Sequence, residues 1–242
     1  MDATEVLLKW DQAGHRAYET GVDHAVFYPY GDNKGVPYSN GEVWNGVSAI
    51  NENPSGAEAS PIYADNIKYL NLMSAETYAC TVEAYTYPES FEECDGTVTI
   101  SAGVTIGQQP RKPFGLSYRT KVGNDAEGQN AGYKLHMVYG CLASPSEKNH
   151  STVNESPDLS PFSWSINTTP VEVPGAEPSA TVTIDSTKLD ATGKAKLAQL
   201  EKILYGTPAV EADPEHNIEA AEAVPARLPL PTEIMKLFAT EG

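Results

Sequence analysis

Apolar and polar residues alternate with a period of two along most of this chain. Tyr78, Cys80, Val82 and Ala84 alternate with Ala79, Thr81, Glu83 and Tyr85. Leu116, Tyr118, Thr120 and Val122 alternate with Ser117, Arg119 and Lys121, and Tyr133, Leu135, Met137, Tyr139 and Cys141 share one face of the next run. Phe162, Trp164 and Ile166 then alternate with Ser163, Ser165 and Asn167, and Val182 and Ile184 with Thr181, Thr183 and Asp185. Period-2 patterning in β-branched and aromatic residues predicts strands with one buried and one wet face. With further strands expected near 42–51 and 62–73, the chain reads as mainly β, a β-sandwich or half-barrel.

One segment breaks the period. Leu197, Leu200, Ile203 and Leu204 recur at spacings of three and four, predicting an amphipathic helix over about 190–205 that packs on a sheet face. Asp190 or Thr192 is placed to cap its start, and Gly206 followed by Pro208 is a stop signal.

Three segments read as irregular. Asp32–Gly35 predicts a hairpin tip. The stretch 88–113 opens acidic, then alternates Val98 and Ile100, and Val104 and Ile106, between glycines, which predicts an ordered hairpin projecting from the body. Residues 1–207 form the expected β domain, and 208–242 an acidic linker and C-terminal arm. In that arm Arg227-Leu228-Pro229-Leu230-Pro231 reads as extended, and Thr232 is placed to cap a short expected helix carrying Ile234, Leu237 and Phe238.

Composition narrows the functional classes. The 242 residues carry a formal net charge of −17, of which −5 falls in 209–242. That argues against a surface built to grip nucleic acid, which needs cationic residues. An apolar content of 40% is enough for a core, and no apolar run approaches the 18 residues a membrane helix needs. The first residues show no secretion signal. Cys80, Cys94 and Cys141 are odd in number and lack Cys-x-x-Cys spacing, so neither a disulfide framework nor a zinc site is expected, which fits a reducing cytoplasm. Asn149, Asn154 and Asn167 open chance Asn-x-Ser/Thr sequons.

Catalytic motifs are missing. Gly115-Leu116-Ser117-Tyr118-Arg119 fails the nucleophile-elbow pattern at its last position, and no phosphate loop or dinucleotide fingerprint occurs. His15, His24, His136, His150 and His216 have no ligand spacing, and His136 reads as a solvated or hydrogen-bonded strand residue. The cluster Glu89, Glu92, Glu93 and Asp95 lacks both the fixed separation of a glycosidase pair and the pattern of a calcium loop. We therefore expect no catalytic residue, cofactor or metal. Thirteen tyrosines keep a carbohydrate-binding or virion-decoration module as the alternative, with Tyr85 and Tyr87 outside the packing pattern. A hydrolase with convergent acids is a further alternative.

Several stretches together resemble the major tail proteins of long-tailed bacteriophages, the subunits of the tail tube. They are Gly21-Val22-Asp23 with Tyr28-Pro29-Tyr30, Trp44-Asn45-Gly46, Pro54-Ser55-Gly56-Ala57-Glu58 and Tyr63-Ala64-Asp65-Asn66-Ile67-Lys68-Tyr69-Leu70. Glu83-Ala84-Tyr85-Thr86-Tyr87-Pro88, Gly107-Gln108-Gln109, Phe114-Gly115-Leu116-Ser117-Tyr118-Arg119, Tyr139-Gly140-Cys141 and Thr168-Thr169-Pro170-Val171 complete the set. The resemblance spans roughly 21–238. It implies a β-sandwich with a flanking helix, assembled into hexameric rings stacked as a hollow tube. It also implies a structural role in the virion, assembly in the host cytoplasm, and no enzymatic activity. The implied partners are further copies of the chain, a tape-measure protein, tail-completion and baseplate proteins, and double-stranded DNA that passes through the lumen to the host without specific binding. A projecting loop that contacts the next ring is implied too. Its candidate residues here are Glu89, Phe91, Val98, Ile100, Val104, Ile106 and Gln108. The arm residues Arg227, Leu228, Leu230, Ile234, Leu237 and Phe238 are a second candidate contact.

Overall fold

The computed structural model describes residues 8–33, 36–148, 150, 152, 160–210 and 221–239. The turn expected at Asp32–Gly35 lies partly outside these residues, as do Asn149, Asn154 and most of the acidic linker.

The described residues fold into thirteen strands and two α-helices, in line with the mainly β reading. In order, the strands are β1 Tyr18–Asn33, β2 Val36–Tyr38, β3 Glu42–Val43, β4 Val47–Glu52, β5 Ala59–Ala64, β6 Ile67–Met73, β7 Ala79–Ala84, β8 Val98–Ser101, β9 Val104–Ile106, β10 Phe114–Asn124, β11 Gly128–Ala143, β12 Phe162–Thr168 and β13 Thr181–Asp185. Helices α1 (Ala191–Tyr205) and α2 (Pro231–Phe238) follow. The main antiparallel sheet runs β2-β1-β10-β11-β12-β7-β4, with β13 on β11 and β3 on β1. β12 and β13 pair with successive lengths of the long β11, which makes the corner where the sheet turns back on itself.

Both faces of this sheet are covered, so alternate residues enter two different cores. Ala25 and Phe27 of β1 join Trp44, Val82, Phe114, Trp164 and Ile166 between the folded-over halves. Val26 and Tyr28 point the other way, onto Leu197, Leu200 and Leu204 of α1. The helix is capped as expected: the Asp190 carboxylate accepts the Gly193 amide at 2.7 Å, and Gly206 ends it at φ +76°.

Cys141 departs from the expected face. Leu135, Met137 and Tyr139 pack under α1, whereas Cys141 lies in the other core. A bulge between the Leu116–Val138 and Phe114–Cys141 pairs shifts the register, and Gly140 occupies it at φ +59°. A Cβ there would fall 2.2 Å from the Thr169 carbonyl oxygen. We expect Gly140→Ala to cost about 1–3 kcal/mol through left-handed strain alone, and more with the clash, measurable as a lowered denaturant midpoint.

The C-terminal segment docks on its own chain. The Arg227 amide donates to the Ile203 carbonyl at 3.0 Å and the Leu228 amide to that of Tyr38 at 3.1 Å. The Tyr139 hydroxyl donates to the Pro229 carbonyl at 2.9 Å. Leu228 and Ile234 are buried in the α1-side core, with Leu230, Leu237 and Phe238 packed at its edge. Arg227 grips Glu233 through both guanidinium nitrogens, at 2.7 and 2.5 Å. Pro231, not a Thr232 cap, begins α2: its fixed φ and missing amide suit the first helical position, and no side chain caps the start. Backbone bridges Thr207–Val224 and Val210–Ala221 pair the two ends of the acidic segment with each other. The arm is therefore an interior strap in this structure, and Leu228→Ala should destabilise the fold by about 2–5 kcal/mol in chemical unfolding.

Candidate assembly surface

Two hairpins stand outside both cores. The first is β8–β9, within the loop singled out by sequence. Val98 pairs with Ile106, and Thr99 with Thr105. Strand alternation then places Val98, Ile100, Val104 and Ile106 on one face and the hydroxyls of Thr99 and Thr105 on the other, while a bulge after Thr99 sets Ser101 opposite Val104. All four apolar residues are exposed, Ile100 to 62%. Residues 97–110 carry no charged side chain, in a chain of net charge −17.

The base of this hairpin is firmly tied. The Gln109 amide donates to the Gly96 carbonyl at 3.0 Å, and the Thr97 hydroxyl to that of Glu92 at 2.9 Å. Buried Asp95 takes Arg111 at 3.3 Å and Lys148 at 2.5 Å, and Lys112 meets Glu93 at 2.6 Å. Glu89 and Gln108 are exposed beside it.

Phe91 is placed differently. It sits in a 3-10 turn, Glu89–Glu93, and is fully buried in the core between the sheet halves. Its ring makes edge contacts with Phe27, Phe114 and Trp164 at centroid separations of 5.4–5.5 Å and a tilted one with Trp44 at 4.6 Å. It has no surface to offer a neighbouring ring and is removed from the candidate contact. Tyr87 packs into the same cluster through Phe91, Phe162 and Trp164, while Tyr85 is half-exposed.

The second hairpin is β5–β6, which sequence reasoning placed in the body as one strand. Asp65 and Asn66 connect its strands at φ +50° and +63°, the paired positive values of a two-residue hairpin turn. Reciprocal backbone bonds between Ser55 and Thr77, at 2.8 and 2.7 Å, hold its base. Both faces are apolar and exposed. Ile62, Ile67, Leu70 and Leu72 lie on one; Tyr63, Tyr69 (66% exposed) and Met73 (71%) lie on the other, a bulge beside Tyr63 setting the register. Asp65 and Lys68 are the charged residues within 59–73 and cancel formally.

The hairpins leave from opposite ends of β7. Register pairs Cys80 with Glu52 and Ala84 with Val47, so 53–78, which holds β5–β6, emerges where β7 begins. The segment 85–113, which holds β8–β9, emerges where β7 ends.

The three thiols offer no reactive group. Burial, with help from Glu52, pushes Cys80 up to about 12; burial, reinforced by Glu93, does the same to Cys94. Burial raises Cys141 well above the ordinary thiol value. Each is protonated at neutral pH, which disfavours nucleophilic chemistry.

The chain matches no model of a known protein family, and no curated protein resembles it significantly in sequence.

Proposed function

We propose that this chain is a tail-tube subunit: a structural virion protein that polymerises as stacked rings into a hollow conduit for DNA. The observation that carries the reading is the pair of apolar hairpins without net charge at opposite ends of β7. An isolated two-stranded hairpin is marginal in water; it needs further strands or a packed apolar face. Among the described residues neither hairpin finds these within its own chain. Exposed strand edges and contiguous apolar faces are templates for pairing with another chain. Different surfaces at the two ends of one strand make a head-to-tail contact, and such contacts propagate into open polymers or rings.

Charge favours the same conclusion. Copies that each carry −17 repel one another, so the hairpins, which carry no net charge, are where they approach at least electrostatic cost. Duplex DNA bears about one negative charge per 1.7 Å of axis, and an acidic subunit gives it little to adhere to. The sequence resemblance to tail-tube proteins supplies the ring-and-tube geometry, the tape-measure, tail-completion and baseplate partners, and the place in the phage tail. Negative-stain microscopy of purified protein tests the proposal: rings or tubes with an open lumen are expected, and a monomer that stays monodisperse at every concentration and with its tail partners refutes it. Binding to a glycan panel without self-association would instead favour a carbohydrate-binding or decoration module.

A further inference from the structure

An apolar arm and an apolar groove sit at opposite ends of the β1–β10 ladder, which runs from Tyr18 opposite Gly123 to Pro29 opposite Phe114. At the first end the chain entering β1 turns back on itself. The His15 amide donates to the Gln12 carbonyl at 3.1 Å, and Arg16 lies 3.8 Å from Asp11. Asp125, between β10 and β11, anchors this turn by accepting the Gly14 amide at 3.0 Å and the Arg16 amide at 3.2 Å. Beyond the anchor Leu8 and Trp10 are each 77% exposed, more than any other large apolar side chain among the described residues. Large apolar side chains held out from a fixed base mark a contact surface, and Trp is among the residues most enriched at binding hot spots.

At the second end a groove of about 450 Å³ is lined by Tyr30, Pro113, Leu142, Pro170 and Val171. Tyr30 and Leu142 are exposed, and the Tyr30 ring stands edge-on to Tyr38 with centroids 5.3 Å apart. Pro113 ends the segment that carries β8–β9, so the groove adjoins the foot of that hairpin. Aromatic and proline surfaces of this kind suit an indole ring.

We propose that Leu8 and Trp10 of one copy seat in the Tyr30 groove of the next. The arm does not reach the groove of its own chain. Phe114 to Gly123 spans about 30 Å at the rise of an antiparallel strand, whereas the chain from Gly14 to Trp10 reaches at most about 14 Å when fully extended. The occupant is therefore a second copy arriving end to end.

Charge selects the same pairing. Residues 8–17 hold Lys9 and Arg16 against Asp11, a net of +1 in a chain of −17. Arg16 turns back to Asp11, which leaves Lys9 exposed between Leu8 and Trp10. On the groove side 160–187 contains no Lys or Arg, and Glu172, beside Val171, is exposed. Among the described residues neither Lys9 nor Glu172 has an ion-pair partner. A cationic arm thus meets an acidic rim around an apolar floor, where the charges orient the contact and the indole supplies its affinity. The inference deepens the tail-tube reading and rests on it, since an arm seated in the groove of the next copy is a head-to-tail contact.

The test uses full-length chains carrying Gln12→Cys, at the arm, or Thr169→Cys, at the groove. Both positions are exposed, and Cys80, Cys94 and Cys141 are buried. The two variants are mixed as monomers, left to associate and treated with a short thiol-to-thiol cross-linker. A covalent dimer containing one of each is expected from the mixture, and monomer alone from either variant by itself. Trp44 and Trp164 are buried, so iodide quenching of tryptophan emission reports on Trp10, and it should be lost on assembly. Trp10→Ala should raise the concentration needed for assembly about tenfold, with an unchanged unfolding midpoint. Tubes that form without the mixed dimer and with Trp10 still quenched overturn this inference and leave the tail-tube reading standing; the groove then belongs to another occupant, such as a glycan. A chain that never associates overturns both. Should a cysteine variant fail to fold, quenching in the native chain decides.

Discussion

Ile100→Asp combined with Ile106→Asp should abolish polymerisation while leaving the monomer folded. Both residues share the apolar face of β8–β9, both are exposed, and neither belongs to a core. Surface substitutions of this kind usually change stability by no more than about 0.5 kcal/mol. Between copies the effect is far larger, because the carboxylates add charge to subunits already at −17 and must be desolvated on contact. Sedimentation velocity should find particles no larger than the smallest assembly unit, with an unchanged unfolding midpoint. Tubes of normal length from the double variant would remove β8–β9 from the assembly contact.

Phe91→Ala should do the reverse. It empties a fully buried ring site bordered by Phe27, Trp44, Phe114 and Trp164, and large-to-small aromatic truncations cost about 3–5 kcal/mol. Against a total of about 5–15 kcal/mol for an ordinary domain, that is a major loss. Equilibrium unfolding in urea should show a midpoint shifted strongly downward. Normal stability with lost assembly would return Phe91 to the surface contact and contradict its placement in the core. The two variants thus separate what the loop 88–113 contributes to folding from what it contributes to association.

Much of this architecture is legible from periodicity because a two-sided sheet imposes it so regularly. Val82, Trp164 and Ile166 face the core that alternation predicts, and Leu197, Leu200 and Leu204 form the helix face seen in the spacing. The failures have local causes. Cys141 changes core because the bulge at Gly140 inserts a residue, and alternation cannot register an insertion without its partner strand. Phe91 is apolar in an acidic turn, and composition gives no sign that a single turn folds inward to plug the core. The C-terminal arm contains the apolar residues an external contact would need; only the positions of Tyr38, Tyr139 and Ile203 show that its partners lie in the same chain.

The β5–β6 hairpin escapes the alternation pattern, although the sequence carries a turn signal for it. Asp65-Asn66 between Ile62-Tyr63 and Ile67-Lys68-Tyr69 is a hairpin turn signature, and 67–73 is apolar on both strand faces rather than one. A strand that is apolar on both faces needs cover on both. Its exposure in the single chain is the strongest reason to look for that cover in another copy.

The most direct measurement is electron microscopy of the overexpressed, purified protein over a range of concentrations, paired with the Ile100→Asp/Ile106→Asp variant. Rings or hollow tubes from the native sequence, and none from the variant, are predicted. A native protein that remains a lone, soluble monomer throughout, even with the proposed tail partners added, would contradict the proposal that sister copies complete these hairpins.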